Sequence, residues 1–65
     1  MPQTYDEDQN ASPNGGGPML LRSAVAKAMQ LLRDGSMDVA IYRDAEDSIM
    51  GPPQIRECAA QFGII

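Results

Sequence analysis

A chain of 65 residues with a net charge of −4, one cysteine and no histidine excludes several kinds of protein at once. No intrachain disulfide can form, the common zinc sites cannot be built, and the acidic balance disfavours non-specific binding to nucleic acid or anionic lipid. A core this small rarely supplies more than ~3–5 kcal/mol without a staple, so burial against a partner or against copies of itself is the expected remedy.

Residues 1–18 carry Asp6, Glu7 and Asp8, no basic residue, and the run Asn14-Gly15-Gly16-Gly17-Pro18. Their apolar content is too low to offset the entropy of ordering. They read as a flexible acidic arm with a glycine-rich hinge, and Tyr5 is its one anchoring ring should the arm order on a partner. An acidic start does not resemble a secretory signal or transit peptide, and no apolar run approaches the ~20 residues of a membrane span. The lone Cys58 suits a reducing compartment. The expectation is a cytoplasmic or virion-associated protein, not a secreted one.

Residues 19–65 are expected to form a small helical module. From Met19 to Arg33, residues Leu20, Leu21, Ala24, Val25, Ala28, Leu31 and Leu32 fall on one broad stripe at helical spacing. Pro18 precedes the run and Gly35 follows it as a stop signal. An amphipathic helix is predicted over 19–33.

Residues 36–50 carry two competing patterns. Val39, Ile41 and Tyr42 favour a strand, and Met37, Val39 and Ile41 alternate with Asp38 and Ala40. Met37, Ala40, Ile41, Ala45, Ser48 and Ile49 also make a helical stripe, with Ser36 as N-cap and Asp38 in the first turn. A lone strand would find no sheet in so short a chain, whereas a helix satisfies its own backbone. The helix is therefore the expectation. The alternative is an α+β arrangement in which residues 37–43 form a strand paired to another chain.

Gly51-Pro52-Pro53 interrupts the pattern, and residues 53–62 restart it. Ile55, Cys58, Ala59 and Phe62 follow the spacing of one helical face, Gly63 supplies a left-handed cap, and Ile64 can fold back onto apolar neighbours. Charge supports a helical hairpin: Arg22, Lys27 and Arg33 give residues 19–33 a charge of +3. Five acids (Asp34, Asp38, Asp44, Glu46, Asp47) against Arg43 give residues 34–50 a charge of −4. The predicted fold is all-α, a three-helix unit made of a helical hairpin and a short C-terminal helix after the arm.

Chemistry-bearing constellations are scarce. Ser23, Ser36, Ser48 and Cys58 have no histidine to act as base, and Cys58 sits on an apolar face as a small core residue. Lys27 flanks its stripe with a solvated head. The acids of 34–47 lack the alternating oxygens, central glycine and closing glutamate of a calcium loop, and Gly15-Gly16-Gly17 lacks the lysine of a phosphate loop. No catalytic residue, metal site or cofactor is expected.

Ile55-Arg56-Glu57-Cys58-Ala59-Ala60-Gln61-Phe62-Gly63-Ile64 resembles the first helix and turn of a helix-turn-helix, with Ala59 and Gly63 at the small-residue and turn-glycine positions. The sequence reaches Ile65 without a recognition helix. With net charge −4, the segment reads instead as a helix with a glycine cap, and direct nucleic-acid binding is not expected.

What remains is interaction. The expected function is a non-catalytic interaction module, a small subunit or adaptor of a larger protein assembly such as a minor virion or accessory structural subunit. Its partner would be another protein or a second copy, with no membrane involved. The residues expected at that contact are Tyr5, Met37, Val39, Ile41, Phe62, Ile64 and Ile65. The alternative is an acidic regulator or inhibitor that docks on a basic, nucleic-acid-binding surface of a partner protein.

Overall fold

The computed structural model of the chain describes residues 5, 6, 8–13, 17–43 and 47–64. In chain order its elements are β1 (Asn10–Pro13), β2 (Met19–Leu20), α1 (Leu21–Arg33), β3 (Ile41–Arg43), β4 (Ser48–Met50) and α2 (Pro52–Phe62). The strands form one sheet in the order β2-β1-β3-β4, every pairing antiparallel. The fold is thus α+β, which corrects the all-α expectation.

The correction has a specific cause. A strand near residue 41 does have a sheet to join, supplied by the segment whose composition suggests a flexible arm. Ala11 and Pro13 of β1 are buried while Asn10 is exposed and Ser12 half-buried, the two-residue alternation of a half-covered strand. β1 lies between β2 and β3, and the Leu21 N–H donates to the Gln9 carbonyl at 2.7 Å, which ties the start of α1 to the strand's approach. Residues 41–43 are a strand, as in the alternative reading, but they pair within the chain, between β1 and β4. Neither the helix expected over 36–50 nor the helical hairpin it would have made is present; α1 packs against α2 instead.

The two helices largely follow their sequence signals, but Met19 and Leu20, expected in the first helix over 19–33, pair with β1 as β2 and leave Leu20 exposed. In α1, Leu21, Ala24, Val25 and Ala28 are buried, and Leu31 and Leu32 are partly so. Gly35, at φ 95°, takes the left-handed turn after α1, while the Ser36 N–H returns to the Leu31 carbonyl at 3.0 Å. Helix α2 opens on a proline pair; the Gln54 side chain accepts from the Gly51 N–H at 2.9 Å. It closes at Gly63, φ 74°, with the Ile64 N–H donating to the Ala59 carbonyl at 2.8 Å.

One core unites these elements. Tyr5, Ala11, Val39, Ile41 and Met50 meet Leu21, Ala24, Val25, Ala28, Ile55, Cys58 and Ala59 in a single buried cluster. Alanines at 11, 24, 28 and 59 let α1 lie close to α2 and to β1. Both helices therefore serve one face of the sheet.

Candidate interaction surface

Strand alternation decides what the other face of the sheet presents. In β3, Ile41 and Arg43 turn inward and Tyr42 outward; in β4, Met50 is buried and Ile49 exposed. Antiparallel partners share a face, and the register places Tyr42 opposite both Ser12 and Ile49, and Leu20 opposite Asn10. The outer face thus carries Asn10, Ser12, Leu20, Tyr42 and Ile49. Leu20 remains 48% exposed, Tyr42 40% and Ile49 68%, and no described element covers them. The Tyr42 hydroxyl donates to the Asp47 carboxylate, which fixes the ring at the mouth of the β3–β4 connection. Asp47 itself has φ 49°, a left-handed conformation that aspartate tolerates better than most residues.

The inner face carries the one buried charge among the described residues, Arg43, only 3% exposed. Its Nη2 donates to Gln9 Oε1 at 2.7 Å and its guanidinium lies 5.3 Å from the centroid of the Tyr5 ring. Gln61 Nε2 donates to the Tyr5 carbonyl at 3.2 Å, so the segment before β1 is fastened to α2 as well as to β3. A buried guanidinium is tolerable only with such partners, and an aromatic face suits its delocalised charge. This cluster anchors the amino-terminal segment to the fold.

Cys58 is fully buried beside this cluster. Burial pushes its thiol up from 9.0 to about 11, against the lowering influence of Arg43 and with a smaller raising influence from Glu57. The thiol is protonated at neutral pH and out of reach of solvent, the opposite of what a nucleophile needs. Among the described residues no group of three or more His, Cys, Asp or Glu side chains converges where a metal ion could sit, and no helix is long and apolar enough to cross a membrane. An open groove between α1 and the C-terminal turn is lined by Ala26, Met29, Gln30, Arg33 and Ile64.

The residues expected at a partner contact are dispersed by the fold. Tyr5, Val39 and Ile41 belong to the chain's own core, and Phe62 and Ile64 are partly buried against it. Met37 is 88% exposed, on the loop before β3 and apart from the sheet face. Ile65 lies outside the described residues. The candidate surface runs instead through Leu20, Tyr42 and Ile49. The alternation in Ile41-Tyr42-Arg43 and Ser48-Ile49-Met50 was its available signal, readable once both segments are taken as strands of one hairpin.

Comparison with protein-family models, with curated proteins and with solved structures finds no match to this chain.

Proposed function

We propose that this chain is a non-catalytic interaction module, a small subunit or adaptor that docks on another protein through the open face of its sheet. The observation that carries this reading is the set Leu20, Tyr42 and Ile49, three large apolar side chains held outward on one face of the sheet, Tyr42 and Ile49 on adjacent strands and Leu20 on the far side of β1. Two-layer folds bury one face of a sheet under helices, and the other is usually polar when it faces water. Here it presents the Tyr42 ring beside Ile49, with Leu20 beyond the Ser12 and Asn10 positions of β1, and aromatic and aliphatic side chains of this kind suit a desolvated contact centre. The thiol at position 58 is buried and protonated at neutral pH, so Cys58 is not an activated nucleophile.

The test uses Leu20→Thr with Ile49→Thr, which keeps strand-forming side chains while removing apolar bulk, against a control pair Lys27→Ala with Arg56→Ala on the helices. Each full-length protein is used as bait in lysate of its native source, with its melting temperature measured alongside. The expected result is a species retained by the unchanged chain and by the helix-face control, and lost by the sheet-face variant at a similar melting temperature. Retention by the sheet-face variant, or loss by the control, would contradict the proposal.

A further inference from the structure

We infer that the protein surface received by the open sheet face is basic around an apolar centre, an inference that rests on the docking role proposed above. The apolar face alone is small. Burying these three side chains, already partly covered, removes only a modest apolar area from water. Association must offset the lost translational and rotational freedom of both partners, so the rim must contribute for a complex to persist.

Topology determines what the rim offers. The approach to β1, the end of β3 and the start of β4 lie at one end of the sheet, because Ala11 pairs with Arg43 and Arg43 with Ser48. The described residues leading into these strands include Asp6, Asp8 and Asp47, all exposed. Asp47 is joined to the face itself through its bond from the Tyr42 hydroxyl. The exposed cations among the described residues, Arg22, Lys27, Arg33 and Arg56, all stand on α1 or α2, in the layer behind the sheet. Arg43, on the sheet, turns inward against Gln9 and Tyr5. The open face therefore carries the three apolar side chains beside Asn10 and Ser12, with acidic residues at one end of the sheet and no described cation of its own.

That charge pattern separates the possible occupants. A second copy carries the same net charge of −4 and the same acidic sheet end, so face-to-face stacking adds like charge to a small apolar contact. Phosphate-rich nucleic acid and anionic lipid meet the same repulsion. Lysine or arginine side chains beside an apolar patch complement Asp6, Asp8 and Asp47 while covering Leu20, Tyr42 and Ile49.

The test titrates the isotopically labelled full chain, followed by amide NMR, with three synthetic probes. They are an amphipathic leucine–lysine peptide, the same peptide with glutamine for every lysine, and oligolysine. The expected result is saturable shifts at Leu20, Tyr42, Ile49 and Asp47 with the leucine–lysine peptide, about tenfold tighter than with either of the others. That affinity should weaken steeply between low and moderate salt. Asp6→Asn with Asp8→Asn and Asp47→Asn keeps side-chain oxygens able to accept the observed bonds, and should remove most of the difference between the charged and neutral peptides. Equal binding of the glutamine peptide at the same face would overturn the inference while leaving the docking role standing. Oligolysine binding as tightly as the leucine–lysine peptide would reduce the contact to charge alone and overturn it. Shifts confined to α1 and α2, or none, would overturn both. Shifts of the face on concentrating the chain alone would assign it to a second copy and overturn the basic-partner inference.

Discussion

Tyr42 and Ile49 stand directly opposite each other across the β3–β4 ladder, and both side chains face solvent. Cross-strand aromatic–aliphatic pairs contribute roughly 0.2–1 kcal/mol to a sheet, so this pair gives the hairpin some support. Its exposure is far more than that support requires. Ile49→Thr should accordingly change folding stability by no more than about 0.5–1 kcal/mol in urea titration, in line with a surface site. A loss of several kcal/mol would mean that Ile49 is a core residue of the isolated chain.

The amino-terminal segment should be indispensable to folding. Tyr5 is buried, stacks with Arg43 and receives a hydrogen bond from Gln61 at its carbonyl. Tyr5→Ala removes a buried ring, a change that costs about 3–5 kcal/mol for comparable aromatic side chains. Since a core this small yields only ~3–5 kcal/mol in total, the variant should be largely unfolded at 25 °C by circular dichroism. Tyr5→Phe keeps the ring and should remain folded. A native spectrum and melting curve for Tyr5→Ala would show that this segment is dispensable.

Cys58 gives a stability effect whose sign is fixed by linkage. Its folded-state pKa of about 11 lies above the 9.0 of an exposed thiol. Below pH 8 both folded and unfolded chains hold this proton, and stability is independent of it. Between 9.0 and about 11 the unfolded chain releases the proton first, so stability falls as pH rises, by on the order of 2 kcal/mol. Cys58→Ala should lack this additional alkaline loss, although it starts from a lower stability because it leaves a cavity. In the unchanged protein at neutral pH, a thiol reagent should label Cys58 only as fast as the fold opens.

The left-handed cap of α2 predicts a cost without a clash. An added Cβ at Gly63 would meet nothing within 4 Å, yet φ there is +74°. Gly63→Ala should therefore destabilise by about 1–2 kcal/mol through backbone strain alone. Gly17→Ala, also in open space but without a positive φ, should be close to neutral.

The helices were legible because their signals are local. The stripe from Leu21 to Leu32 and the set Ile55, Cys58, Ala59 and Phe62 repeat at helical spacing, and Gly35 and Gly63 stop the helices where expected. The sheet was not legible because its central strand reads Asn-Ala-Ser-Pro, with no β-branched or aromatic residue. Only Ala11 and Pro13 are buried there, and their burial depends on helices later in the sequence. With β1 read as a flexible arm, β3 has no visible neighbour, and helical self-sufficiency outweighs the alternation of Met37, Val39 and Ile41. Tyr5, expected to anchor the arm on a partner, is instead held in the chain's own core against Arg43. The outward face followed from neither reading, since it emerges only when Leu20, Tyr42 and Ile49 are brought together by pairing.

The most direct measurement of the docking surface is site-specific photo-crosslinking in lysate of the native source. A photoreactive residue is placed at position 49 on the sheet face or at position 27 on α1. The account predicts one defined adduct from position 49, suppressed by Leu20→Thr, and none from position 27. A defined adduct from position 27 with none from position 49 would contradict it.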